Sequence, residues 1–183
     1  MNNYKHHIRD LALYSGSPLF DSPRSTSSLV APDFQRFLDY SKIFFEARQY
    51  TNSGPVVQML EQRLAEFHQT NYCVTFCSGF WALVLTIRAL AIPGRSELLM
   101  PSLTYRRMGD VAAWAGLVPR FCEVDRSTMA ISAQSARSLI NADTALILGV
   151  HPVVNCCDSV ALEQLSAETG VPLFIDAVES VYE

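Results

Sequence analysis

The chain has 183 residues, 49% of them hydrophobic and 17% charged, enough for one domain with its own core and far from a disordered polyelectrolyte. A net charge of −4, with 14 scattered Lys and Arg, offers no basic stripe to a nucleic-acid backbone. No stretch approaches the roughly 18 apolar residues of a membrane span, and the N-terminus has no continuous apolar signal region, so a cytoplasmic setting with neither membrane nor nucleic-acid partner is expected.

Residues 1–53 read as an N-terminal arm. Ser and Pro crowd "SGSPLFDSPRSTSSLVAP", and "DFQRFLDYSKIFFEARQY" then spaces Phe34, Phe37, Leu38 and Phe44 or Phe45 for one helix packed on the main domain. From residue 54 to 183 a regular alternation predicts a single α/β domain. Gly54-Pro55 opens an amphipathic helix bearing Val57, Leu60, Leu64 and Phe67, Pro being favoured at the first helical position. "YCVTFC" (72–77) predicts a strand, and Ser78-Gly79 precedes "FWALVLTIRALAI", apolar on nearly every side and expected as a buried helix.

The pattern then recurs. "ELLM" is a strand, "RRMGDVAAWAG" a helix, "VPRFCEVD" a strand, "SAQSARSLI" a helix capped by Ser132, and "TALILGV" a buried strand. "DSVALEQLSAETG" is a helix closing on Gly170, and "PLFID" is the last strand. Continuous apolar strands separated by helices imply parallel pairing through right-handed crossovers, hence a doubly wound, mostly parallel sheet. Cys73, Cys77, Cys122, Cys156 and Cys157 are odd in number without secretory context, which favours thiols. The vicinal Cys156-Cys157 pair with His151 has poor zinc spacing, so no metal is expected.

In open parallel sheets ligands gather beyond the carboxyl ends of the strands. The residues there are Ser78 and Gly79, Ser102 and Tyr105, His151, and Asp176 with Glu179. Ser78-Gly79-Phe80 at a helix entry presents free N–H groups and a positive dipole end to an anion; a plain cap is the bland alternative. Tyr105 alone reads as core packing before a ligand platform and His151 alone as a satisfied loop histidine, whereas Asp176, a carboxylate costly to desolvate at a strand end, is the stronger signal with an N-cap as its bland alternative. Together, a phosphate cradle, an aromatic face and a carboxylate are what pyridoxal 5'-phosphate (PLP) requires: an anchored phosphate, a stacked ring and a protonated ring nitrogen.

These segments resemble the DegT/StrS-type sugar-nucleotide aminotransferases, PLP-dependent enzymes of fold type I. "YTNSGPVVQMLEQRLAEF", "CSGFWAL", "MPSLTY", "VPRFCEVD", "GVHPVVNCCD" and "FIDAVES" match family segments in order from about Leu11 to the end. The resemblance implies that Gly79 and Phe80, after Ser78, bind the cofactor phosphate and that Tyr105 stacks on the ring. It also implies that Asp176 pairs with the ring nitrogen, that Glu179 lies near the ring oxygen, and that Asn52, Gly54 and His151 face substrate. It further implies amino transfer from glutamate to a nucleotide-linked keto-sugar, in a homodimer. Phe80 departs from the usual Thr, and "HPVV" from an aromatic and a glycine. The Schiff-base lysine of the family is expected past residue 183, as is the C-terminal small domain, since the lysines here are Lys5 and Lys42. The chain is thus expected to correspond to the N-terminal part of such an enzyme, with a non-catalytic cofactor- or sugar-nucleotide-binding module, or a half-enzyme needing a partner chain, as the alternatives. A flavodoxin-like or nicotinamide-binding domain is disfavoured because no Gly-x-Gly-x-x-Gly turn follows a first strand.

Overall fold

The computed structural model describes residues 5–18, 20, 22, 31–153 and 155–179. Most of the Ser- and Pro-rich arm segment, Val154 of "HPVV" and the residues after Glu179 lie outside the described residues. The chain divides into two compact units, Met1–Cys73 and Val74–Glu183, so the helix expected to open the large domain belongs to the N-terminal unit.

In the N-terminal unit two short 3-10 turns, Ile8–Asp10 and Ala12–Tyr14, precede helices α1 (Phe34–Ala47) and α2 (Pro55–Phe67). Asp33 caps α1 by accepting the Arg36 N–H at 2.8 Å. Gly54 stands at the cap of α2, with Pro55 in the first turn, where its missing N–H is no loss. The two helices pack on each other. The Arg63 guanidinium donates to the Tyr40 hydroxyl at 2.5 Å and lies 5.5 Å from its ring centroid.

The C-terminal unit runs α3 (Gly79–Leu90), β1 (Glu97–Pro101), α4 (Met108–Ala115), β2 (Val118–Cys122), α5 (Ala133–Leu139), β3 (Thr144–Val150), α6 (Ser159–Thr169) and β4 (Leu173–Asp176). All pairings are parallel and the spatial order is β2-β1-β3-β4. The connection from β1 leads one way and that from β2 leads back across it, so the strand order reverses between β1 and β3. Alternate residues of the central strands point to opposite faces. Leu98, Met100 and Leu148 join Val84 and Ile87 of α3 and Met108 and Val111 of α4 in one core. Leu99 and Ile147 join Ala136 of α5 and Leu162 and Leu165 of α6 in the other. Helices thus cover both faces, and the expected doubly wound α/β fold is what forms.

Two expectations are corrected. Tyr72–Cys77 is not a strand. It lies outside the sheet with no regular secondary structure, Tyr72 86% and Val74 68% exposed. High β propensity yields a strand only where a neighbouring ladder accepts it, and none pairs with this segment among the described residues. Helix α3 is not buried all round: Val84 and Ile87 are buried, while Trp81, Leu85 and Leu90 are exposed. A helix lying on one face of a sheet presents only one side to it, whatever its composition.

Candidate functional site

The carboxyl ends of the strands open on two adjoining cavities. The first, about 440 Å³, is lined by Gly79, Phe80, Tyr105, Asp176 and Glu179, among others. The second, about 430 Å³, shares Tyr105, Asp176 and Glu179 with it and adds Thr104 and His151. Residues separated by up to 100 positions converge here because parallel strands deliver their following loops to one end of the sheet.

Each position has a local cause. Ser78 caps α3, its hydroxyl accepting the Trp81 N–H at 3.4 Å. The N–H groups of Gly79 and Phe80 lie in the first turn, before the helix's own hydrogen-bond ladder begins, and face outward with the positive dipole end. A Cβ built on Gly79 meets no atom within 4 Å, so the space before this terminus is open. The Phe80 ring lies under the Arg107 guanidinium at 4.6 Å, and Arg107 also pairs with Asp110 at 3.2 Å. Tyr105, 56% exposed, follows β1 and presents its ring to both cavities.

Asp176 ends β4, half-buried, and accepts the Val178 N–H at 3.1 Å. That local bond is the cap-like role considered from sequence, and it leaves further lone pairs for a ligand. Glu179 is exposed at the rim. His151 is held at two points: its backbone N–H donates to the Asp176 carbonyl at 2.9 Å, and its Nδ1 accepts the Cys157 N–H at 3.0 Å. Ser102 donates its N–H to the Cys122 carbonyl at 2.9 Å and lines neither cavity.

The residues singled out from sequence therefore meet in part. Gly79, Phe80, Tyr105, Asp176 and Glu179 share one cavity, and His151 joins the last three in the second. Ser78 acts through its cap. Asn52, with φ +41°, and Gly54 belong to the N-terminal unit. Sequence reasoning missed Thr104, which lines the second cavity and which nothing in the sequence marked. The five cysteines form no disulfide among the described residues, and no helix among those residues is long and apolar enough to cross a membrane.

The fold belongs to the doubly wound α/β class, whose ligands sit beyond the strand ends where the strand order reverses. The chain itself belongs to the DegT/DnrJ/EryC1/StrS aminotransferase family, whose model matches residues 35–183. It is 28% identical over 81% of its length to a dTDP-4-amino-4,6-dideoxy-D-glucose transaminase of Shigella dysenteriae. It is 30% identical over 69% of its length to a UDP-2-acetamido-2-deoxy-3-oxo-D-glucuronate aminotransferase of Pseudomonas aeruginosa. These matches span 40% and 35% of the two relatives. Among solved structures, DesI in the presence of its TDP-sugar product superposes with a TM-score of 0.77 at 26% identity, over 93% of this chain and 43% of that one.

Proposed function

We propose that this chain forms the cofactor seat of a PLP-dependent aminotransferase acting on nucleotide-linked keto-sugars, with glutamate as amino donor. The observation that carries the reading is the shared cavity of Gly79, Phe80, Tyr105, Asp176 and Glu179. The residues present fit the group: an open helix N-terminus suits a phosphate, a ring face suits a pyridine, and a half-buried carboxylate suits a protonated ring nitrogen. When bound, PLP supplies an electron sink for the carbon that gains or loses the amino group.

The protein's part is to hold and polarise. Gly79 and Phe80 donate backbone N–H groups to the phosphate, so the replacement of a hydroxyl residue by Phe80 keeps the main-chain donor. Tyr105 covers the ring, Asp176 keeps the ring nitrogen protonated, and Glu179 lies toward the ring oxygen. Asn52, Gly54 and His151 are assigned to substrate. The only lysines of the chain, Lys5 and Lys42, belong to the N-terminal unit and match no family lysine, so the amine that would hold the cofactor covalently is assigned to a segment outside these 183 residues, in the same or a second polypeptide. A cytoplasmic homodimer is the proposed working form, with sedimentation velocity as its check.

Spectrophotometric titration with PLP tests the seat. Asp176→Asn should weaken binding about tenfold, the loss of one charge-assisted hydrogen bond, with an unchanged circular dichroism spectrum. Equal affinity in wild type and variant would remove Asp176 from the cofactor. Borohydride treatment that traps no lysine adduct, with reversible PLP binding, is the expected outcome for these residues alone and is shared with the non-catalytic alternative. A trapped adduct on Lys5 or Lys42 would refute the assignment of the amine.

A further inference from the structure

His151 is fixed at both its main chain and its ring. Its backbone N–H donates to the Asp176 carbonyl at 2.9 Å, which ties the end of β3 to the end of β4. Its Nδ1 accepts the N–H of Cys157, six residues on, at 3.0 Å. A backbone N–H can only donate, so this second bond exists only while Nδ1 carries a lone pair, and an imidazole protonated there loses it.

Cys157 gives the ring a firm partner. It is 5% exposed and belongs to the core beneath α5 and α6, with Leu99, Ile147, Leu162 and Leu165. A Cβ built on Gly149 of β3 would stand 3.5 Å from the Cys157 Sγ and 3.3 Å from both Leu162 Cδ1 and Ile175 Cγ1. The missing side chain at Gly149 thus leaves the room in which the thiol sits. The other titratable groups around the ring are Cys156, Cys157 and Asp158 along its own loop, Tyr105 from the loop after β1, and Asp176 and Glu179 after β4.

We propose that His151 is a positioning residue for Asp176, a latch that holds while its ring is neutral and releases when Nδ1 is protonated. Its consequence for the cofactor rests on the aminotransferase reading, in which Asp176 pairs with the ring nitrogen. With the latch made, the core-seated Cys157 anchors the His151 ring, and the His151 main chain anchors the Asp176 end of β4. With it broken, the Cys157 N–H and the protonated Nδ1 confront each other as two donors, and His151 keeps one of its two ties.

Amide exchange measured by NMR on the full chain without cofactor tests the latch. Relative to an unstructured chain at the same pH, protection of the Cys157 N–H should fall about tenfold between pH 8 and pH 5, the worth of one hydrogen bond over the range in which imidazoles change charge. His151→Asn, whose Oδ1 accepts where Nδ1 does but does not titrate, should keep that protection at both values, and His151→Leu should lack it at both. PLP titration then tests the positioning: wild-type affinity relative to that of His151→Asn should fall severalfold over the same interval. Tyr105, Asp176, Glu179 and the cofactor's own groups titrate in both proteins and cancel in that ratio. Protection of Cys157 unchanged at pH 5, or lost equally in His151→Asn, would overturn the latch. A PLP ratio that stays constant while protection falls would overturn the positioning of Asp176. Failure of the aminotransferase reading would show separately, as PLP affinity indifferent to Asp176→Asn. Should His151→Leu not fold, wild type and His151→Asn still decide the question.

Discussion

Buried thiols carry a consequence at the residue scale. Burial pushes both Cys122 and Cys157 up to about 11, against an ordinary thiol value of about 8.5. The folded chain therefore keeps protons that the unfolded chain has already lost over roughly pH 9 to 11. Proton retention by the native state alone means stability falls with rising pH across that window and is fully present below it. Urea midpoints at pH 8 and pH 10.5 should show this loss, and Cys122→Ala should show a smaller one. Exposed Cys77 should react with a thiol reagent in the native protein, while Cys122 and Cys157 react only on unfolding. Sequence reasoning picked out Asp176, Tyr105 and Gly79, which line one cavity, because strand ends are legible and ligands gather at strand ends. It did not reach Thr104, whose buried hydroxyl has no partner among the described residues, a property that only its packing reveals.

At the scale of elements, local signals worked where a residue's own backbone chemistry decides the outcome. Ser132 and Asp158 do cap α5 and α6, bonding the Ser135 and Ala161 N–H groups at 3.3 and 3.0 Å. Gly170 ends α6 with φ +68°, a left-handed conformation that a Cβ makes costly. Gly170→Ala should therefore cost about 1 kcal/mol in chemical denaturation although open space surrounds the site. Signals that depend on a neighbour were less reliable. Tyr72–Cys77 has strand composition but no paired ladder among the described residues, and α3 has a core composition but a single buried face.

The sheet unit as a whole has two cores that share one sheet. Leu98 and Leu99 are adjacent in β1, fully buried, and face opposite sides. Leu98→Ala and Leu99→Ala should each cost about 2–5 kcal/mol, and each should lower one common transition, because neither core has a sheet of its own. Separate transitions by fluorescence and circular dichroism in either variant would contradict that coupling. The sequence by itself determined the alternation of elements, the parallel doubly wound class and the residues following each strand, because periodicity, caps and crossover handedness are local rules. Only the tertiary structure decided that the strand order reverses between β1 and β3, that Gly79, Tyr105 and Asp176 share one cavity, and that His151 accepts the Cys157 N–H through Nδ1. Strand order and hydrogen-bond partners depend on which distant segments pack together, and no local pattern encodes that choice.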